Sequence, residues 1–242
     1  MGKAVLIALL IVLLVRCFLF ESYTVSSSHA TQSLVNGDRI LVDKTAYGIR
    51  MPITILAIPF TFDNLLGMQS YTDAVQLPYK RLFESGVEKE DIVLYNNPME
   101  TDKPLDKRSL ILNRCVAVAG DSVAIDEPSV YYKFVVPRKG TKVELTENNM
   151  KLYRNIILSE QGSAGKVEYD RLYINGEEQT SYTFLSDYYW MISDDKSGVP
   201  DSRTLGFIPV QSIIGKARIV WYSSENGNVR WDRCFSAIKS EN

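Results

Sequence analysis

The sequence predicts a mainly β protein, with an antiparallel sheet core, a smaller inserted β lobe and one N-terminal transmembrane helix. Three observations support this class. The chain begins with an apolar run; beyond residue 21, short segments rich in Val, Ile, Thr and Tyr alternate with turn dipeptides; and the middle of the chain breaks that rhythm. With 242 residues, one substantial domain with a smaller lobe is the expected size.

The predicted helix is an N-terminal anchor over residues 1–20. Ala4 to Val15 is unbroken apolar sequence, and Phe18 and Phe20 follow Arg16. The whole segment approaches the ~20 residues that cross a bilayer. A cleavable signal peptide is the rival interpretation, but bulky residues stand where a cleavage site needs small ones. We therefore predict an uncleaved anchor.

Charge at the anchor predicts its orientation. Lys3 and the amino terminus place the N-terminus in the cytoplasm, although Arg16 opposes this assignment. The expectation is a single-pass protein of the inner (cytoplasmic) membrane, with its remaining chain on the periplasmic, extracytoplasmic side.

Period-two patterns predict the strands of the core. They cover Asp38–Thr45, Asp91–Tyr95, Leu110–Val118, Ser122–Ile125 and Lys216–Tyr222. In the last of these, Ala217, Ile219 and Trp221 are expected on one face. Turns are predicted at Gly120-Asp121, Asn175-Gly176 and Asn226-Gly227.

The rhythm divides the chain into a core, residues 21–125 and 184–242, and an inserted lobe, residues 126–183. Within the lobe we predict a short helix over Thr146–Tyr153, with Thr146 as its N-cap. Residues 50–85 are either an extended loop lying on lipid or a buried hairpin.

Composition excludes several functions. Lys and Arg number 27 against 29 Asp and Glu, which argues against nucleic-acid binding. One histidine and three cysteines without paired spacing predict no metal site, and no cofactor is expected. A Cys115–Cys234 disulfide stays open, but separate thiols are favoured.

Several motifs stand in a recognisable order behind the anchor. Glu21–Ala30 precedes Gly37-Asp38 and Lys44; Glu90–Tyr95 is similar to a G-D-I-V-V-F strand; and Leu112–Asp121 parallels Y-I-K-R-C-V-G-I-P-G-D. Later segments continue the pattern, namely Arg50-Met51-Pro52, Ser193–Pro209, Gly215-Lys216-Ala217 and Arg230–Arg233. In this order the chain resembles bacterial type I signal peptidases, which are Ser/Lys proteases, and specifically their Bacteroidetes-like branch. The resemblance implies a partly open barrel as the core.

The resemblance implies chemistry that this chain does not carry. In active members a serine attacks a peptide carbonyl, a buried neutral lysine takes its proton, and a nearby hydroxyl bonds that lysine. The corresponding positions here are His29, Asn113 and Val199. Further departures are Ser26, Ala30 and Ser193.

Other positions of the family pattern persist. Ser27 is retained, and together with Ser28 and the substituted His29 it occupies the expected oxyanion and substrate-groove positions. The residues expected to support the site are Arg114, Asp194, Asp201, Ser202 and Arg203.

A shifted register would make Ser28 the nucleophile, with a local bulge absorbing the extra residue. A comparable shift of register cannot supply a lysine as the base, because no lysine stands between Ser109 and Tyr132. His29 would then have to serve as base or nucleophile.

Three hypotheses follow. The first is a degenerate protease that binds signal peptides, pre-proteins or an active signal peptidase. The second is an active signal peptidase with relocated catalytic groups. The third is an anchored β-domain whose role is structural, because a shared fold does not imply a shared activity.

Overall fold

The computed structural model describes residues 2–25, 34–54, 64–65, 68–69, 76–127, 130–194 and 199–238. The helices are α1 Gly2–Phe18, α2 Glu147–Gln161 and α3 Ser202–Leu205. The first strands are β1 Phe20–Thr24, β2 Asp38–Asp43, β3 Ile49–Arg50, β4 Asn64–Leu65, β5 Met68–Gln69, β6 Arg81–Leu82, β7 Ile92–Asn96 and β8 Leu110–Ala117. The middle strands are β9 Ser122–Glu127, β10 Val130–Val135, β11 Lys142–Glu144, β12 Gly165–Glu168, β13 Arg171–Ile174, β14 Glu177–Gln179, β15 Ser181–Thr183, β16 Tyr188–Ile192 and β17 Ile208–Pro209. The last strands are β18 Ile213–Glu225, β19 Asn228–Val229 and β20 Ser236–Ala237.

A first compact unit contains Met1–Arg114, Ser193–Pro200 and Gln211–Asn242. Its strands follow the order β1-β2-β18-β7-β8, and β19 and β20 also pair with β18. One face of the sheet carries an apolar cluster because alternate residues of each strand point the same way. Buried members of this cluster are Val25, Leu34, Ile40, Val42, Ile92, Leu94, Leu112, Ile214, Ala217 and Val220. The prediction of a mainly antiparallel β fold is confirmed.

Strand β18 departs from the predicted alternation. Its pairing with β2 shifts between Ala217 and Ile219 and again between Val220 and Tyr222. Each bulge inserts an extra residue and so changes which side chains face inward. As a result Val220 is buried, whereas Ile219 and Trp221 are only half-buried. The expectation that Ala217, Ile219 and Trp221 share one face is wrong.

Helix α1 is 17 residues long and exposes apolar side chains around its surface. At 1.5 Å per residue its length is about 25 Å, against roughly 30 Å for the hydrocarbon core of a bilayer. Among the described residues, no helix combines the length and the apolar character needed to cross a membrane. The predicted transmembrane helix is therefore not confirmed.

Two short pairings answer part of the question about residues 50–85. Strand β3 pairs with β6 in antiparallel fashion, and Thr54 forms a bridge with Gln76. Ile53 is buried, whereas the Phe83 side chain is 86% exposed. The base of this region is thus a hairpin with an exposed aromatic beside it. Most of residues 55–75 lie outside the described part of the chain, so the two interpretations stay open there.

The second compact unit contains Cys115–Ile192 and Asp201–Val210, and the predicted lobe of residues 126–183 lies within it. Strand β16 pairs with β17, and smaller sheets pair β9 with β10, β11 with β15, and β12 with β13 and β14. Its core is aromatic. The rings in mutual contact are Phe134, Tyr153, Tyr182, Phe184, Tyr188, Trp190 and Phe207.

Helix α2 begins as predicted and ends later than predicted. The Thr146 side chain accepts a hydrogen bond from the Asn149 N–H, and the Asn149 side chain accepts one from the Thr146 N–H. This capping box confirms Thr146 as the N-cap. The helix then continues to Gln161, because Ile156 and Ile157 extend the buried stripe. The expected end at Tyr153 is wrong.

The three cysteines are thiols, with Cys115 buried and Cys17 and Cys234 half-buried. Separate thiols, the favoured interpretation, are confirmed.

Candidate functional site

The segment that carries the serine run leaves β1 and returns to β2 at one point of the first unit. Val25 N–H donates to the Asp38 carbonyl at 2.8 Å, and Gly37 N–H donates to the Val25 carbonyl at 3.0 Å. Val25 and Leu34 are both buried in the apolar cluster. The two ends of the segment are therefore anchored side by side. Ser27, Ser28 and His29 lie outside the described residues, so the roles expected of them stay predictions.

Gly37 makes the return turn possible. Its φ is +88°, and a Cβ built there would lie 2.0 Å from the Ser224 carbonyl oxygen. Only glycine combines this backbone conformation with so close an approach of a neighbouring strand. This steric requirement explains why a glycine stands directly before Asp38.

Asp38 is fully buried beneath the turn. Its carboxylate accepts hydrogen bonds from the Ser223 hydroxyl at 2.6 Å, the Val35 N–H at 3.0 Å and the Arg233 guanidinium at 2.6 Å and 3.1 Å. Burial alone would raise the pKa of Asp38, but the bonds from Arg233, Ser223 and the backbone hold that pKa below its usual value. The charged Asp38 carboxylate, with hydrogen bonds to both of its oxygens, therefore joins Arg233 to Val35 and to the start of β2.

Asn113 stands in β8 opposite Val93 of β7. Tyr95 lies two residues further along β7, so Tyr95 and Asn113 form a diagonal pair on one face of the sheet. Both residues are fully buried. Asn113 Nδ2 donates to the Tyr95 hydroxyl oxygen at 2.8 Å and to the Pro200 carbonyl at 3.0 Å. The two amide hydrogens are thus both used within the first unit.

The remaining atom of the Asn113 amide, Oδ1, is buried, and no described residue forms a hydrogen bond with it. An amide oxygen does not take up and hold a proton near neutral pH, so this position offers hydrogen bonds and no general base. Val199, where a hydroxyl is expected, is half-buried and apolar. Ser193 is buried, with 2% of its surface exposed.

Arg114 binds Asp194, near the other end of the segment of residues 193–200 that contains Pro200. Its Nε and Nη2 donate to the two carboxylate oxygens of Asp194 at 3.2 Å and 2.8 Å. Neighbouring side chains of a strand point to opposite faces, so Arg114 and Asn113 contact this segment from two sides. The structure therefore brings together Asn113, Arg114, Asp194 and Pro200.

Two motif lysines of the first unit are committed to ion pairs. Lys44 Nζ lies 3.1 Å from Glu21 Oε2 and donates to the Arg16 carbonyl at the end of α1. Lys216 Nζ is paired with the carboxylate of Asp91. Among the described residues, no group of three or more His, Cys, Asp or Glu side chains is arranged to hold a metal ion.

Asp201, Ser202 and Arg203 lie together in the second unit. Asp201 caps α3 through the Arg203 N–H, and its carboxylate also accepts bonds from the Arg203 guanidinium at 2.9 Å and 3.1 Å. The Ser202 hydroxyl oxygen accepts the Met191 N–H at 2.8 Å. These contacts attach the short helix to β16.

Sequence reasoning missed three contributors to this arrangement: Tyr95, the Pro200 carbonyl and Ser223. Tyr95 left a trace, because it stands where the similar strand motif ends in Phe. The other two left none, since a backbone carbonyl and a distant serine acquire their partners only through the fold.

Comparison with known proteins gives one family and several relatives. A family model described as "Signal peptidase, peptidase S26" matches residues 1–222. Curated relatives named signal peptidase I include one from Haemophilus influenzae, 25% identical with 96% of this chain and 73% of the relative covered. Another, from Pseudomonas aeruginosa, is 27% identical with 92% of this chain and 72% of the relative covered.

Proposed function

The chain belongs to the signal peptidase family, peptidase S26, and we propose that it is a non-catalytic member that binds extended peptides at the membrane. The peptides would be signal peptides or the exposed ends of pre-proteins. An active signal peptidase is the proposed protein partner, whose access to these peptides the chain would modulate.

One observation carries this proposal: the position expected to hold the general base is a fully buried asparagine whose amide hydrogens are both engaged. Removing a member of a nucleophile–base unit costs up to about 10⁶ in turnover. With His29 at the nucleophile position as well, both members of the unit are replaced.

Strand β1 supports peptide binding. It is the terminal strand of the sheet order among the described strands, and it leads directly into the serine-bearing segment. An edge strand offers backbone N–H and C=O groups to an added extended chain. We therefore place the peptide along β1.

Membrane attachment through α1 is part of the proposal. The helix exposes apolar side chains, among them Val5 and Leu6 at 68% each, and Lys44 fixes its C-terminal end to β1 and β2. The proposed topology is single-pass in the inner membrane, with the N-terminus cytoplasmic. A cysteine introduced by Tyr169→Cys, at a 97% exposed position, should react with an impermeant maleimide in intact spheroplasts. Labelling only after lysis would overturn this topology.

A cleavage assay tests the loss of catalysis. The full chain in phospholipid vesicles should release no mature product from a pre-protein with an Ala-x-Ala site, whereas an active type I signal peptidase in the same vesicles should. Cleavage that disappears in Ser28→Ala or His29→Ala would overturn the proposal. That result would establish the alternative, an active peptidase with relocated groups, which the run Ser26–Ser28 favours.

Peptide binding needs its own measurement. A fluorescent signal peptide should bind the vesicle-bound chain, and the same peptide N-methylated at alternate residues should lose most of its affinity because it lacks the strand-forming N–H groups. Equal binding of both peptides would contradict pairing along β1. If neither peptide binds, and if no active signal peptidase is recovered with the chain, the hypothesis that remains is a purely structural role.

A further inference from the structure

Two arginines stand directly opposite each other at the base of the hairpin formed by β3 and β6. Arg50 of β3 is the register partner of Arg81 of β6. Side chains at directly opposite positions of antiparallel strands lie on the same face, and like charges there repel each other. Both residues are half-buried, so solvent screens this repulsion only in part. The contact therefore requires negative charge to offset it.

The hydrogen bonds of the two guanidinium groups all end on neutral acceptors. Arg50 Nη1 donates to Asn96 Oδ1 at 2.7 Å. Arg81 Nε donates to the Tyr79 hydroxyl oxygen at 2.9 Å. The other acceptors of Arg81 are the backbone carbonyls of Tyr47, Gly48 and Ile213. These bonds position the two cations without compensating their charge.

Arg50 also keeps a donor atom that the described part of the chain does not use. Its Nη2 atom is buried, and no described residue forms a hydrogen bond with it. A buried donor without an acceptor costs free energy, and more so when it is charged. Asn96, which is 1% exposed, holds the guanidinium in place, because its Nδ2 donates to the Arg108 carbonyl at 3.2 Å while its Oδ1 binds Arg50.

Asp106 is the carboxylate whose charge acts on Arg50, but its oxygens already have partners. They accept hydrogen bonds from the Thr54 N–H at 2.9 Å, the Thr54 hydroxyl at 2.7 Å and the Ile53 N–H at 3.3 Å. Burial first, and the charge of Arg81 second, lower the pKa of Arg50 to about 10 in spite of Asp106. The guanidinium with this pKa is charged at neutral pH, so two cations share the influence of one engaged carboxylate.

We propose that Arg50 and Arg81 bind a phosphate group, with Arg50 Nη2 as its principal hydrogen-bond donor. Planar guanidinium groups match the oxygens of phosphate, and their charge-assisted hydrogen bonds are among the strongest in proteins. Inorganic phosphate and the headgroup of an anionic lipid both supply this chemistry. The site does not depend on the proposed loss of catalysis or on peptide binding.

Thermal unfolding with two probes tests the site. The full chain in maltoside micelles is titrated with inorganic phosphate, against sodium chloride of equal ionic strength, and separately with phosphatidylglycerol added to the micelles. A tenfold excess of ligand over its Kd should raise the melting temperature by about 4 °C. A rise with inorganic phosphate identifies a free anion as the ligand, whereas a rise with phosphatidylglycerol alone identifies a lipid phosphate, and both support the site. No rise with either probe would overturn it.

Substitutions at Arg50 show whether binding is specific. Arg50→Gln should weaken binding of the effective probe by at least about tenfold, because it removes a charge-assisted donor. Arg50→Lys keeps the charge but not the planar fork, so its affinity should be intermediate, and it replaces Arg50→Gln if that variant does not fold. Arg138→Gln is the matched control, since it removes the same charge at an exposed position and should leave the affinity unchanged. Equal losses in Arg50→Gln and Arg138→Gln would reveal nonspecific charge attraction and overturn the proposal.

Discussion

The guanidinium of Arg114 donates two hydrogen bonds to the carboxylate of Asp194, from Nε at 3.2 Å and from Nη2 at 2.8 Å. Only 8% of the Arg114 side chain and 18% of that of Asp194 are exposed, so the pair is largely shielded from water. A planar fork on a carboxylate adds geometric specificity to charge attraction. Together with the bond from Asn113 to Pro200, the pair fixes both described ends of this segment.

Removing one partner of this pair should destabilise the protein. Arg114→Ala leaves a shielded carboxylate without its cation and should lower the free energy of unfolding by about 2–4 kcal/mol, measured in urea. Arg114→Lys keeps the charge but loses the fork, so its loss should be intermediate. The exposed pair of Arg171 and Glu178 is the control, and Arg171→Ala should cost less than about 1 kcal/mol. Equal losses at the two sites would contradict the assigned role.

Gly37 should tolerate no side chain. Gly37→Ala combines a positive φ with a Cβ placed 2.0 Å from the Ser224 carbonyl oxygen, so we expect a loss of about 3 kcal/mol or more, or failure to fold. Gly176→Ala is the matched control, because Gly176 has φ +85° but nothing within 4 Å of its built Cβ. That variant should lose only about 1–2 kcal/mol. Similar midpoints in chemical unfolding for both variants would show that the close approach is unimportant.

Asp38 should make stability depend on pH in the acid range. Its folded pKa is lowered, so its contribution is complete above the unfolded value of about 3.9 and is lost as pH falls through the folded pKa. At pH 7, Asp38→Asn should cost about 3 kcal/mol, because it leaves Arg233 without its buried carboxylate. The difference between the two chains should shrink below about pH 4.

A constant difference between the natural chain and Asp38→Asn from pH 7 to pH 2 would contradict the assigned titration.

Thr146 should stabilise the start of α2. Thr146→Ala removes the side-chain acceptor of the Asn149 N–H and should cost about 1 kcal/mol. Thr146→Ser keeps the acceptor and should restore most of this loss. Native-state hydrogen exchange at Asn149 offers a local readout, and unchanged protection in Thr146→Ala would argue against the cap.

Features set by neighbouring residues were predictable from the sequence. The Thr146 cap and the Asn175-Gly176 and Asn226-Gly227 turns depend on contacts a few residues apart, and all of them are present. The strand predicted at Leu110–Val118 is β8, because its apolar pattern alone favours extended backbone.

Features set by distant residues were not predictable. The bulges of β18 follow from its register against β2, a strand more than a hundred residues away in sequence. Helix α2 extends beyond its predicted end because its later turns pack against apolar side chains, among them Phe134 and Leu172. Such burial depends on residues distant in sequence, which a local sequence pattern does not identify.

The sequence by itself determined that position 113 carries an amide and position 29 an imidazole, because the identity of a side chain limits its proton chemistry in any fold. Only the tertiary structure decided what Asn113 does. Its partner Pro200 is 87 residues away, and Tyr95 reaches it through the register of two strands. Side chains so far apart in sequence meet only when the sheet has formed, because strand pairing is what brings them within hydrogen-bonding distance.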